Sequence, residues 1–246
     1  MNCLIKQACD VYDDVVKAFP GYFVNGLDGV FPIVWFGDLV SQRNVIVTFG
    51  SNPSDKEFCS KVSRFPNSQS GSTPLPSDLA KDYNGYFNVN PYNSWFNSIR
   101  EFAHENFHSN AECIHVDALP FATSVKYSEF KNISAVSGHN SNFKDWRAVL
   151  EWGRAFVKEV LGKIVNGNNV LGISVVGRTN FELFKEVFGN QFTYNVSKKN
   201  DYSVFKGELV IYGRVIPVCG TTKYLPNKFS NITAKAIANE IKFLHP

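Results

Sequence analysis

The sequence lacks the features that mark secreted, zinc-binding and membrane-spanning chains. It has no Cys-x-x-Cys pair, no run of about 18 apolar residues, no internal repeat and no long run of like charges. Charged side chains interrupt the opening segment Met1–Phe19, so no signal peptide is predicted. The five cysteines are scattered, at positions 3, 9, 59, 113 and 219, which is typical of reduced thiols. These absences favour a cytoplasmic protein that neither spans a membrane nor depends on disulfides.

The charge of the chain is nearly balanced. A net charge of +3 gives only a mild attraction for polyanions, so any contact with nucleic acid must come from a local surface. Hydrophobic residues make up 44% of the 246 residues and charged residues 19%, which is typical of a globular chain. A chain of this length is expected to form one domain, residues 1–246.

Helical and strand patterns alternate along the chain. Apolar residues recur at helical spacing in residues 4–19, 95–103, 146–164, 180–188 and 231–244. Short β-branched runs predict strands at 44–49, 112–116, 170–176, 209–212 and 215–219. The alternation predicts an α/β protein with a mostly parallel sheet and helices on both faces. Ser54 and Glu57 have the spacing of a capping box, which predicts a helix starting there, whereas residues 65–77 are predicted to form a loop.

Polar residues follow two of the predicted strands. The first strand runs into Gly50-Ser51-Asn52-Pro53-Ser54, and the second runs into Asp117-Ala118-Leu119-Pro120. Ligands of open α/β sheets bind outside the carboxyl ends of the strands, so these two strand ends are the predicted active site. An asparagine amide can position a water but is a poor general base, which suits reactions that pass through a cation, such as glycosidic cleavage. The alternative is that Asn-Pro-Ser only makes a turn.

Four segments resemble motifs of the uracil-DNA glycosylase superfamily. Residues 45–54, Val-Ile-Val-Thr-Phe-Gly-Ser-Asn-Pro-Ser, resemble its first motif, in the Gly-x-Asn-Pro form of the mismatch-directed and single-strand-selective branches. Residues 114–119 resemble the strand whose terminal polar residue reads the base, and residues 173–177 resemble its third strand. Residues 218–226, Val-Cys-Gly-Thr-Thr-Lys-Tyr-Leu-Pro, occupy the place of the last motif, the loop that enters the DNA minor groove.

This resemblance implies a fold, an activity and a set of site residues. The implied fold is a three-layer α/β/α sandwich with a central four-stranded, mainly parallel sheet, and the implied activity is DNA glycosylase action on a base rotated out of DNA. The implied catalytic residues are Asn52 and Asp117. The implied base pocket comprises Gly50, Ser51, Pro53, Ser54, Phe65 and His115, and the implied DNA-binding residues are Gly220, Thr221, Thr222, Lys223, Tyr224 and Leu225. We expect DNA as the partner and a monomeric protein, with no cofactor and no metal ion.

Three departures from the superfamily pattern bear on the substrate and the chemistry. Asp117 stands where the family usually has asparagine, and a carboxylate accepts from the amino group of cytosine but repels O4 of uracil. Ser54 stands where strict uracil enzymes carry a tyrosine that blocks substituents at C5. Together they favour a 5-substituted cytosine, such as the hydroxymethylated or glucosylated cytosine of phage DNA, and hence a role in phage defence. The last motif has no histidine to stabilise the leaving base, so the base leaves by protonation, or the chemistry is slower or absent.

Some of these residues have structural alternatives. Asp117 can cap a loop or pair with a cation, and Phe65 and His115 can be ordinary core residues. The segment His104-Glu105-Asn106-Phe107-His108 spells the zinc motif His-Glu-x-x-His. Against a zinc site, the next two residues end the helix, and the third ligand would have to come from a residue such as Glu129.

Other functions also stay open. Phe49-Gly50-Ser51 weakly resembles the start of serine lipases and esterases. The Asp-x-x-His that closes their site is missing, because the residue three positions before His245 is Lys242 and not aspartate. The absence of the last-motif histidine is consistent with a nucleic-acid-binding module that has lost hydrolysis. A uracil or thymine mismatch glycosylase fits the first motif.

Overall fold

The computed structural model describes residues 1–22, 30–39, 43–58, 64–68, 74–123, 135, 142–223 and 231–242. These residues group into two compact units of interleaved segments. Unit 1 comprises Met1–Phe36, Ser51–Pro91 and Asp117–Val160, and unit 2 comprises Gly37–Gly50, Tyr92–Val116 and Leu161–Pro246. A single domain over 1–246 stays a prediction.

Unit 2 contains the sheet, of which only Asp117, the last residue of β2, belongs to unit 1. Its six strands are β1 (Asn44–Gly50), β2 (Glu112–Asp117), β3 (Asn169–Val176), β4 (Phe192–Lys198), β5 (Ser203–Ile211) and β6 (Arg214–Thr221). They are ordered β2-β1-β3-β6-β5-β4. β3 pairs in parallel with β1 and with β6, whereas β5 pairs antiparallel with β4 and with β6. The sheet is therefore mixed, with more strands than the four expected.

Helices cover both sides of this sheet. On one side Phe102 of α3 (Asn93–Phe107) and Ile237 of α6 (Asn231–Lys242) pack with Cys219 of β6. On the other side α5 (Arg178–Phe188) packs its Phe184 against Phe49 of β1, with ring centroids 5.0 Å apart. The predicted α/β class, with helices on both sides of the sheet, is confirmed.

Unit 1 is built from helices and extended segments. Its helices are α1 (Asn2–Ala18), α2 (Pro76–Val89) and the first part of α4 (Trp146–Gly167). A buried cluster joins α1, α4 and the segment after β2, and it comprises Tyr12, Val15, Ala18, Phe19, Leu119, Phe121, Phe143, Trp146 and Val149. Residues 31–36 are buried, held by a Tyr83 hydroxyl that donates to the Pro32 carbonyl and by an Ile33 N–H that donates to Pro120 O at 2.7 Å. α2 begins with Pro76, whose missing N–H costs nothing in the first turn.

The helix expected after Ser54 is only a short 3-10 helix, Asp55–Glu57. Ser54 does cap it, because its Oγ accepts from Lys56 N at 3.2 Å. Glu57 does not complete a capping box: its side chain is buried and accepts a hydrogen bond from the Tyr86 hydroxyl of α2. The capping-box prediction was wrong for Glu57, because a partner distant in sequence captures the carboxylate.

No helix among the described residues is both long enough and apolar enough to cross a membrane.

Gly220 supplies a test of sheet packing. A Cβ at this position would lie 1.9 Å from the Val175 carbonyl oxygen of β3 and 2.4 Å from the Phe205 ring. Because a backbone atom of a paired strand cannot move aside, we expect Gly220→Ala to cost about 3 kcal/mol, the upper end of typical overpacking. Urea unfolding measures the change.

The matched control is Gly167→Ala at the end of α4, where a Cβ would meet no atom within 4 Å. We expect that variant to be as stable as the parent or slightly more stable, because alanine favours helix. A Gly220→Ala protein with the parent's unfolding midpoint would contradict the packing described here.

Candidate functional site

The chain segments that follow β1 and β2 are hydrogen-bonded to each other within unit 1. We call residues 51–54 and 117–123 the strand-end segments. Leu119 N donates to Ser51 O at 3.0 Å, and Ser54 and Thr123 form a parallel bridge. The Asn52 side chain adds a third link, because its Nδ2 donates to Thr123 Oγ1 at 2.9 Å. The structure thus brings the two predicted strand ends together.

The Asn52 amide is held in one orientation. Its Nδ2 donates to Thr123 Oγ1 and also to Pro53 O, each at 2.9 Å. A primary amide has two N–H donors, so both are used within the strand-end segments. Oδ1 is left as the group that can accept from a water or a ligand. This side chain is half-buried.

Asp117 is buried, with 7% of its surface exposed. It is the last residue of β2, and the chain behind it packs tightly on α4: a Cβ at Gly153 would lie 2.8 Å from the Ala118 carbonyl oxygen. Burial removes a carboxylate from water, so it must be compensated by hydrogen bonds or by charge.

The other residues of the first motif have local roles. Gly50 ends β1 in unit 2, and Ser51 supplies the carbonyl that accepts from Leu119 N. Pro53 is buried. The Ser54 hydroxyl donates to Asp55 Oδ1 at 3.1 Å, so it points toward the short 3-10 helix.

Phe65 lies in the aromatic core of unit 1, with 2% of its surface exposed. It stacks on Phe58, with centroids 5.6 Å apart and planes inclined by 25°, and it meets Phe31 edge-on at 5.1 Å. Tyr86 lies 5.8 Å away on α2. These contacts are typical of an ordinary core residue, which was the structural alternative for Phe65.

His115 occupies the core of unit 2. His115 Nδ1 and Thr48 Oγ1 are hydrogen-bonded at 2.8 Å, and the Phe96 ring meets the imidazole edge-on at 5.1 Å. His115 is only 2% exposed and Thr48 1%. These surroundings are typical of an ordinary core residue, which was the structural alternative for His115.

The residues of the last motif tie β6 to the start of β5. Thr221 is fully buried and its Oγ1 donates to Ser203 O at 3.1 Å, while Thr222 Oγ1 accepts from Ser203 N at 2.7 Å. Lys223 Nζ lies 3.8 Å from Asp201 Oδ2 and 4.7 Å from the centroid of the Tyr202 ring. Tyr224 and Leu225 lie outside the described residues.

The His-Glu-x-x-His segment has other contacts in the structure. His104 Nε2 lies 3.1 Å from Ala111 O and 3.2 Å from Cys113 Sγ, and burial raises the pKa of the Cys113 thiol to about 12. His108 ends α3 in the left-handed conformation, with φ 47°. Within the described ranges, no group of three or more His, Cys, Asp or Glu side chains could hold a metal ion. Glu129 and His245 lie outside those ranges.

Thr123 is the site residue that sequence reasoning missed. It is buried, with 4% exposed, and it bonds both the side chain of Asn52 and, through the bridge, the chain at Ser54. The available signal was a polar residue at the end of an apolar stretch, Leu-Pro-Phe-Ala-Thr. That signal does not predict a hydrogen bond to Asn52, which lies 71 residues earlier in the chain.

No protein-family model, no curated protein and no solved structure matches this chain.

The Asn52–Thr123 bond can be measured with a double-mutant cycle. We expect Asn52→Ala and Thr123→Val to be coupled by about 1 kcal/mol of unfolding free energy, because either change alone removes the same hydrogen bond. Urea unfolding of the parent, the two single variants and the double variant gives the coupling.

A second cycle, Asn52→Ala with Ser68→Ala, is the control. Ser68 hydrogen-bonds Asp82 instead, so these two changes should be additive. Additive effects in the Asn52–Thr123 cycle as well would mean that the bond contributes nothing.

Proposed function

We propose that this chain is a DNA glycosylase that hydrolyses the N-glycosidic bond of a flipped-out, 5-substituted cytosine and leaves an abasic site. The single observation that carries the proposal is the link between the strand-end segments. Through it, the amide of Asn52 and the chain that follows Asp117 belong to one hydrogen-bonded substructure. By the resemblance to the uracil-DNA glycosylase superfamily, Asn52 would position the water. Asp117, at the position that is usually asparagine in that superfamily, would read the base.

The sheet is compatible with the superfamily's four-stranded parallel arrangement. We propose that β2, β1, β3 and β6, which are consecutive in the sheet, correspond to those four strands. β3 is parallel to both β1 and β6. β5 and β4 are then an antiparallel extension at one edge.

Asn52 would position the attacking water. With both amide hydrogens donated to Pro53 and Thr123, Oδ1 accepts a hydrogen bond from the water and orients its lone pair. An amide does not remove a proton, so the water adds late, after the glycosidic bond has largely broken and the sugar carries oxocarbenium character. A fixed amide suits this role because it needs no reorganisation during the reaction.

Asp117 and Ser54 would select the base. A carboxylate at the end of β2 accepts a hydrogen bond from the exocyclic amino group of cytosine. It repels O4 of uracil, because both groups are acceptors. Ser54 is small, and its hydroxyl is bound to Asp55, so it leaves room beside C5 of the pyrimidine. A hydroxymethyl or glucosyl substituent is the chemistry that fits, which links the activity to modified phage DNA and to defence. Phe65 is not included in this pocket, because its ring is packed in the core of unit 1.

Without a histidine in the last motif, the base would leave after protonation at its ring nitrogen by solvent. The bond from the sugar C1′ to the base breaks, a bond from C1′ to the water oxygen forms, and the proton that this water loses returns to solvent. DNA would be held through phosphates at Lys223 and through Tyr224 or Leu225 as the wedge that fills the gap left by the base. The hydroxyls of Thr221 and Thr222 are bonded to Ser203 and do not contact phosphate in our proposal.

One observation favours a second candidate, a nucleic-acid-binding module without hydrolysis. The hydroxyls that occupy the place of the superfamily's last motif are bonded to the Ser203 backbone, and no histidine stands there to stabilise a leaving base. Such a module would bind the modified base and leave the glycosidic bond intact.

Asn52→Ala is the direct test of the glycosylase. Purified protein is incubated with single-stranded and duplex DNA containing 5-hydroxymethylcytosine, its glucosylated form, uracil, or thymine opposite guanine, and alkali then cleaves abasic sites. We expect breaks at a 5-substituted cytosine, and a loss of about a hundredfold in rate in Asn52→Ala, because the water is no longer positioned. Asn169→Ala, an exposed asparagine of β3, is the matched control and should keep the parent rate.

The other outcomes separate the alternatives. Breaks at uracil or mismatched thymine alone would favour the mismatch glycosylase. Tight binding without breaks would favour the binding module, and hydrolysis of a nitrophenyl ester lost in Ser51→Ala would favour the esterase. Breaks that persist at full rate in Asn52→Ala would refute the role given to the amide.

Asp117→Asn tests base selection separately. An asparagine can donate to O4, so we expect the ratio of cytosine to uracil excision to fall tenfold or more, which corresponds to about 1.4 kcal/mol of discrimination. The control is Asp10→Asn, on the exposed surface of α1, which should leave the ratio unchanged. An unchanged ratio in Asp117→Asn would remove the argument for cytosine.

A further inference from the structure

β4 forms one edge of the sheet, and among the described residues only β5 pairs with it. The pairing runs without a register shift from Phe192 opposite Leu209 to Lys198 opposite Ser203. β2 forms the other edge and is almost entirely buried, whereas most residues of β4 are exposed. β4 is thus the accessible edge of the described sheet.

This edge lacks the devices that prevent strands from pairing with other chains. Exposed edge strands are usually interrupted by proline, a bulge or inward-facing charges. Phe192–Lys198 contains no proline and no glycine, and its one charged residue is the last. Seven regular residues without such protection form a template for another strand.

β4 exposes two apolar side chains, Tyr194 and Val196, and ring contacts hold Tyr194 in place before any partner binds. Tyr194 stacks on Phe192, with centroids 4.9 Å apart and planes inclined by 20°, and it meets Phe181 of α5 edge-on at 5.4 Å. Even so, Tyr194 is 40% exposed and Val196 is 42% exposed. Because the Tyr194 ring is already ordered, covering it costs little conformational entropy.

We propose that β4 pairs antiparallel with β4 of a second copy of this chain, around a two-fold axis at Asn195. This register pairs all seven residues of the strand. It sets Tyr194 opposite Val196 of the copy, twice per interface, and aromatic with β-branched pairs stabilise antiparallel sheets. On the opposite face Thr193 meets Ser197, and Asn195 meets its own copy, so polar residues face polar residues.

Charge is compatible with the same occupant. In this register Lys198 lies opposite Phe192, so no like charges are directly opposed in the new pair. Lys206, which is opposite Asn195 on β5, would be three strand spacings, about 14 Å, from its copy, beyond the screening length at physiological salt. The pairing replaces the expectation of a monomer with a two-fold dimer whose two sheets are continuous.

Sedimentation equilibrium of the full chain, from low to high micromolar concentration, measures the dimer. Val196→Lys places a lysine beside Tyr194 of the copy at two points of the interface, and we expect at least a tenfold weaker dimer. The matched control is Val210→Lys on β5, a valine that is 46% exposed but lies on an internal strand. Val210→Lys should dimerise like the parent.

Cysteine crosslinking tests the register and not merely the association. In a Cys3→Ser background, which removes an exposed thiol, Asn195→Cys should form a disulfide with its own copy, because opposed Cα atoms lie about 5 Å apart. Thr193→Cys should not crosslink with itself, since its copy would be about 14 Å away, but it should crosslink with Ser197→Cys when the two proteins are mixed. Peptide mass spectrometry identifies the bonds.

Three results would overturn the proposal. They are a monomer at every concentration, a dimer as tight in Val196→Lys as in Val210→Lys, and a Thr193→Cys protein that crosslinks with itself as readily as Asn195→Cys does. None of these results depends on DNA cleavage, so the proposal stands or fails independently of the glycosylase.

Discussion

The candidate site depends on the hydrogen bonds between the strand-end segments. Where a strand leaves its sheet, the backbone groups lose their regular partners and must find others. Here the chain after β1 and the chain after β2 satisfy each other, through Leu119 N and Ser51 O and through the bridge at Thr123. The Asn52 amide adds a side-chain hydrogen bond to this arrangement, because its Nδ2 donates to Thr123 Oγ1. A functional amide held this way keeps one orientation, which a water-positioning role requires.

Several motif residues have structural work that is independent of any substrate. Gly220 is needed because the Val175 carbonyl lies where a Cβ would be, and the hydroxyls of Thr221 and Thr222 hold the start of β5. His115 is bonded to Thr48 in a buried pair. A motif match therefore mixes residues that build the strand ends with residues free to do chemistry. Within the first motif, Asn52 keeps its Oδ1 as an acceptor after both of its amide hydrogens are donated locally.

Buried acids outside the motifs also shape unit 1. Asp82 accepts from Asn67 N at 3.0 Å and from Asn67 Nδ2 at 2.7 Å, which holds the segment that carries Phe65. Glu57 accepts from the Tyr86 hydroxyl and lies 3.9 Å from Arg64 Nε. Each carboxylate ties a segment with little regular structure to α2. Sequence spacing predicted that Glu57 would cap a helix, because a capping box depends only on neighbouring residues. The contact with Tyr86 of α2 joins residues 29 positions apart, which local spacing does not indicate.

The sequence by itself determined the elements whose side chains alternate between core and solvent, or are buried throughout. α1, α4, β1 and β3 were predicted near their observed bounds, because their periodicity follows from which faces are buried. It also located the polar residues at the strand ends. Tertiary structure alone decided the strand β4, the partner of Glu57, the bond from Asn52 to Thr123, and the packing of Phe65. β4 pairs with the neighbouring β5, but most of its side chains are exposed, so it lacks the apolar pattern that marks a buried strand. The other three are contacts with residues distant in the chain, and local pattern carries no information about which distant group satisfies a given donor or covers a given ring.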